Sequence, residues 1–108
     1  MANPWTGEVE LTIDGERRAL KLTLGALAEL ESAMGEDSIL ALVERFETSR
    51  FSTRDVLHLI VAGLRGGGWN GNVSDLRTAE ISGGPVEAAR VAAALLVRAF
   101  QLPGGEAS

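Results

Sequence analysis

Ser52-Thr53-Arg54-Asp55-Val56-Leu57-His58-Leu59-Ile60-Val61-Ala62-Gly63-Leu64 is the stretch on which the fold turns. Ser52 and Asp55 resemble a capping box, in which the first side chain and the fourth satisfy free N–H groups at the start of a helix. Aspartate is shorter than the usual Glu or Gln, so it is expected to reach back less well. Behind it, Val56, Leu57, Leu59, Ile60, Val61 and Leu64 place apolar side chains on nearly every side. A surface helix carries one apolar stripe, whereas a helix that is apolar all round is buried. This third helix is therefore expected to be the most buried one.

Upstream of it, Ile39, Leu42, Val43 and Phe46 recur at helical spacing, with Glu44, Arg45 and Glu47 on the solvated side. Asp37 or Ser38 can start that second, shorter helix. The first helix is capped by Thr23, carries Leu24, Leu27, Leu30 and Met34 on one face, and ends at Gly35. Before it, Val9, Leu11 and Ile13 alternate with polar residues, which is the period of a strand with one buried face. Asp14-Gly15 suits a tight turn, and Arg17 to Leu22 alternate again, with Leu20 and Leu22 on one side. A lone hairpin is marginal in water, so this apolar face must rest on the helices.

Downstream, Gly66-Gly67-Gly68-Trp69-Asn70-Gly71-Asn72 is expected to be a loop, because each glycine inside a helix costs about 1 kcal/mol relative to alanine. A short helix is predicted from Ser74 to Ile81. Gly83-Gly84-Pro85 then opens a final alanine-rich helix from Val86 to Phe100, with Val86, Ala89, Ala93, Leu96 and Phe100 as one face. The predicted fold class is α+β: an N-terminal β-hairpin followed by a compact bundle of four to five α-helices. The hairpin covers 7–22, the helical part 23–101 and a flexible tail 102–108, all in a single domain 1–108.

Composition narrows the function. A chain of 108 residues with 45% hydrophobic content suits one core. No apolar run approaches the roughly 20 residues that span a bilayer. Met1 to Trp5 lacks the basic and apolar stretches of a signal peptide, so a cytoplasmic protein with no membrane partner is expected. The absence of cysteine excludes disulfides and thiolate metal sites. A net charge of −5 opposes binding to a phosphate backbone, so nucleic acid is not an expected partner. A recognition helix over Ser52–Leu64 would offer only Arg54 and Arg65 to a duplex.

Candidate chemistry is sparse. The triple glycine follows a helix and has no nearby lysine, whereas a phosphate loop places glycines before a Lys-Ser/Thr pair that opens one. His58 is the only histidine, and Asp55, three residues earlier, is one candidate partner. One histidine and scattered carboxylates form no spaced metal-ligand set. Glu8, Glu10, Glu29, Glu31, Glu44 and Glu47 fall where the apolar pattern requires a solvent face. Arg17, Arg18 and Lys21 are expected to pair with Glu8, Glu10 and Glu16 across the hairpin. No catalytic, cofactor-binding or metal-binding residue is assigned, and an enzyme is not expected.

Trp5 and Trp69 stand in segments that otherwise look polar, and Phe51 and Leu102 share that feature. Either they cover the edge of the core or they mark a binding patch, since tryptophan is enriched at interface hot spots. Phe51, Trp69, Phe100 and Leu102 are the candidate partner-binding residues, with the alanine face of the last helix as an alternative surface.

Four segments in order carry a resemblance: Gly7-Glu8-Val9-Glu10-Leu11, Leu24-Gly25-Ala26-Leu27-Ala28-Glu29-Leu30-Glu31, Phe51-Ser52-Thr53-Arg54-Asp55-Val56, and Ala62-Gly63-Leu64-Arg65-Gly66-Gly67-Gly68. From about Gly7 to Phe100 the chain resembles the small tail-assembly proteins of gene transfer agents and their phage relatives. That group is often described as tail assembly chaperones, and some members are labelled tail tube proteins. The resemblance implies a non-catalytic protein made in the producing bacterium that binds the tape-measure protein, tail tube subunits or both. A chaperone of this kind would be absent from the mature particle; the alternative is a structural, tube-associated component. A homomeric ring is a further implication by analogy. Tube subunits are commonly built on β-sandwiches or barrels, and a single hairpin fits the chaperone better.

Overall fold

A computed structural model describes residues 8–35 and 38–100. Trp5, Leu102, Asp37 and the 102–108 tail lie outside the described residues.

Strands β1 (Val9–Ile13) and β2 (Glu16–Leu20) pair antiparallel, from Val9 opposite Leu20 to Ile13 opposite Glu16. Asp14 and Gly15 join them with φ of 51° and 82°, the left-handed pair that matches the twist of a two-residue hairpin. Val9, Leu11, Ile13 and Leu20 are buried beneath the helices. Strand β2 stops two residues short of the expected Leu22, because the Lys21 N–H donates to the Gly63 carbonyl (2.9 Å) and leaves the hairpin. Leu22 is nevertheless buried. Arg18 pairs with Glu16 of its own strand at 2.8 Å, a contact along β2 where one across the hairpin was expected.

Helix α1 (Leu24–Met34) starts where the Thr23 hydroxyl accepts the Ala26 N–H at 3.0 Å, and stops at Gly35, whose φ is 71°. Its buried residues are Ala26 and Leu30; Leu24, expected on the core face, is exposed in the first turn, where no neighbouring helix covers it. Helix α2 (Ile39–Glu47) is capped by the Ser38 hydroxyl, which accepts the Ala41 N–H at 3.1 Å. It buries Ile39 and Leu42.

Helix α3 (Thr53–Gly66) is the central element: α1, β2, α5 and α4 all pack on it, and Leu59, Ile60 and Leu64 are almost wholly enclosed. Its last turns are shaped by contact with the hairpin. A Cβ at Gly63 would lie 2.8 Å from Leu95 Cδ1 and 3.1 Å from Leu20 Cβ. A Cβ at Gly66 would sit 1.9 Å from the Lys21 carbonyl oxygen, and one at Gly67 2.0 Å from that of Ala19. The glycine run is thus more than a helix-terminating loop. Gly66 belongs to the helix, and Gly66 and Gly67 let its end lie directly on the β2 backbone.

Helix α4 (Val73–Arg77) is shorter than the Ser74–Ile81 prediction. Asn72 caps it one residue earlier, and the chain after Arg77 turns toward the hairpin. The Asp14 N–H donates to the Glu80 carbonyl (2.7 Å), the Ser82 N–H to the Thr12 carbonyl (3.0 Å), and Ile81 bridges Ile13. A backbone ladder on β1 replaces what would have been the last turn of a helix.

Helix α5 (Gly84–Ala99) carries Pro85 in its first turn and lies on α3 and β1. Its buried residues are Ala88, Val91, Ala92, Leu95 and Leu96. The expected face of Val86, Ala89, Ala93, Leu96 and Phe100 is corrected, with only Leu96 shared. Leu95 fits against the bare backbone at Gly63, and that close approach rotates the valine–alanine stripe outward.

Candidate interaction surface

The corner between α2 and α3 is fixed by one carboxylate. Asp55 accepts the Ser52 N–H (2.9 Å), the Ser52 hydroxyl accepts the Asp55 N–H (3.1 Å), and both Asp55 oxygens receive the Arg45 guanidinium at 2.9 Å. Burial alone would raise the Asp55 pKa, but the bonds from Arg45 and Ser52 outweigh it and hold the carboxyl below its usual value. The shorter aspartate closes its capping box after all, and Ser52, with φ −107° and ψ 168°, has the extended backbone of a helix cap. The bidentate ion pair ties the last turn of α2 to the first turn of α3. Phe46 and Phe51, on either side of the connection, stack with ring centroids 4.4 Å apart and planes 7° from parallel.

Two apolar grooves open along α5 beside this corner. The first, about 450 Å³, runs between the start of α3 and the start of α5, with Phe51, Leu57, Ile81, Pro85 and Ala89 in its walls. Its one charged lining residue is Arg77. The second, about 470 Å³, runs between α2 and the end of α5, with Val43, Phe46, Ala93, Leu96, Val97 and Phe100. Its one charged lining residue is Glu47. Between and beside them the outward stripe of α5 exposes Val86 (81%), Val97 (65%) and Phe100 (43%). Leu24 (86%) and Leu40 (76%), the other large exposed hydrophobics among the described residues, stand apart on α1 and α2.

The predicted site residues separate accordingly. Phe51 lines the first groove and Phe100 the second, so these two share the α5 side of the molecule. Trp69 does not join them. It follows the far end of α3, about 20 Å along a 14-residue helix from Ser52, and its N–H donates to the Leu64 carbonyl (2.9 Å). Its ring packs on the core edge beside Gly71, where a Cβ would lie 2.1 Å from Cζ2. The sequence reading missed Val97, Val43, Phe46, Glu47 and Arg77. Val97 was within reach of it, since Val86, Ala93, Val97 and Phe100 repeat at helical spacing.

The polar candidates are occupied elsewhere. His58 accepts a long contact from Arg54 Nε (3.4 Å), while both oxygens of Asp55 are engaged by Arg45. Burial first, then the Arg54 and Arg77 charges, lower the His58 pKa. Glu29 receives Arg65 at 2.8 Å, and the same guanidinium donates to the Gly71 carbonyl (2.9 Å), which steadies the glycine loop. Among the described residues no group of three His, Asp or Glu is placed to hold a metal ion. No helix among them is long and apolar enough to cross a membrane.

No curated protein and no solved structure matches the chain. A family model described as "Phage tail tube protein, GTA-gp10" matches residues 6–102, which takes in the hairpin, helices α1 to α5 and both grooves. The chain therefore belongs to this phage tail family of gene transfer agents, and its role lies in a phage-like tail.

Proposed function

We propose that this protein is a non-catalytic, tube-associated structural component of the tail, held there by contacts between its α5 side and other tail proteins. The observation that carries the reading is the family match over 6–102, which describes a tail tube protein. The two apolar grooves along α5 supply a surface of the kind such contacts use, because contiguous exposed apolar patches on small soluble domains mark interaction sites. Assembly would take place in the cytoplasm of the producing cell.

Quantitative mass spectrometry of purified particles tests this directly. The protein is expected in a fixed ratio to the tube subunit. Its absence from particles that contain tube and tape measure would overturn the structural reading.

One observation favours a second reading. The sheet has only two strands among the described residues, and the grooves lie between helices, where an amphipathic helix can lay its apolar face. An assembly chaperone that keeps the helical tape-measure protein soluble would use such a surface and then leave. Co-expression with a tape-measure fragment discriminates the two: a soluble complex combined with absence from particles selects the chaperone.

A further inference from the structure

The outward stripe of α5 is apolar at both ends. Val86 and Val97 stand there, with Ala89, Arg90 and Ala93 between them and Arg90 held aside by Glu87 at 2.6 Å. An isologous contact can use both ends of this stripe at once, because a two-fold axis that sets one end against the other does so twice. The alanines leave the middle low enough for two helix backbones to cross closely. The valines, joined by Phe100, stand proud at either end.

The grooves show the same reciprocity. With two copies antiparallel across α5, the N-terminal half of one helix lies over the C-terminal half of the other. Val86 of one copy then enters the partner's groove between α2 and α5, and Val97 and Phe100 enter the partner's groove at Pro85 and Ala89. The two grooves match in size, about 470 and 450 Å³. Their rims are complementary in charge, since one carries Glu47 and the other Arg77. The antiparallel crossing brings these two rims together twice, once on each side of the axis. A parallel crossing would instead place like ends over like ends.

We infer that a second copy of this chain covers the face, with α5 crossing its counterpart antiparallel on a two-fold axis and Glu47 of each copy facing Arg77 of the other. The inference rests on the reading of the α5 side as the contact surface. Before incorporation into a tail, the free protein stores its apolar stripe in a dimer, and a tail partner exchanges with the second copy for the same grooves.

Size-exclusion chromatography with light scattering on the full chain, over a concentration series, is the test. The wild type is expected to be a dimer that dissociates on dilution. Val97→Arg is expected to be monomeric at every concentration with an unchanged circular dichroism spectrum, while Leu40→Arg, on an exposed leucine outside the stripe, stays dimeric. Glu47→Arg and Arg77→Glu are each expected to weaken the dimer roughly five-fold or more, with the double reversal restoring it. A wild-type monomer throughout, an assembly larger than two, a dimer that survives Val97→Arg, or a double reversal no better than the singles would each overturn the inference. None of these results alters the ratio of this protein to tube subunits in particles, so failure of the dimer is separable from failure of the tail role.

Discussion

Two helices in this protein begin with the same device and use it differently. At α3, Ser52 and Asp55 exchange bonds of 2.9 and 3.1 Å; at α4, Asn72 and Asp75 exchange bonds of 2.9 and 3.3 Å. Locally the two boxes are near copies. Asp55, however, is buried and receives a bidentate arginine from the preceding helix, whereas Asp75 is exposed and bonds to Asn72 and Thr78 of its own short helix. A capping box in water satisfies a helix end. The same box under cover, with an ion pair across it, also sets the angle between two helices and positions the phenylalanines beside them.

The contrast is broken most severely at Asp55. Asp55→Ala removes the carboxylate half of the capping box and the bidentate ion pair to Arg45, and is expected to cost about 3 kcal/mol in urea unfolding. Loss of the Phe46–Phe51 stack should accompany it. Acid provides a graded version. Because the folded-state pKa of Asp55 lies below the unfolded value, its contribution is complete above about pH 3.9 and is lost as pH falls through the folded pKa. The stability difference between wild type and Asp55→Asn is therefore expected to shrink on acidification below pH 4, and a constant difference would show that the carboxylate charge contributes nothing. Asn72→Ala is the smaller perturbation, about 1 kcal/mol, and hydrogen exchange should locate it in α4 alone.

Much of the architecture was written in local signals. The period-2 run at Val9–Ile13, the Asp14-Gly15 turn and the caps at Thr23, Ser38 and Ser52 each rest on a few adjacent residues, and each formed as expected. What escaped was set by distant contacts. In α5 apolar residues occupy every side except the one that carries Glu87, Arg90 and Arg98, so the sequence offers no unique inward face; Leu95 meeting Gly63 chooses it. Glu80 and Ile81 look helical until the open side of β1 offers them and Ser82 backbone partners. The candidate site was legible in halves. Phe51 was found by the oddity of its surroundings and Phe100 at the end of the last helix, but the stripe between them became visible only once the face of α5 was known, and Trp69 shared the isolation of Phe51 in sequence without sharing its place in the fold.

The seating of Gly66 and Gly67 on the carbonyls of Lys21 and Ala19 has a consequence for what the two-stranded sheet can become. A strand normally has two flanks from which a sheet can grow. Here the flank of β2 is plugged by the end of a helix so close that a single methyl group would not fit, and the tip of β1 is stitched to residues 80–82. Any strand added by a neighbouring protein must come alongside the remaining part of β1, beyond Thr12 toward Glu8. The molecule is thereby polar in the architectural sense: one flank is closed to further strands, and the direction from which another could arrive is decided before it comes.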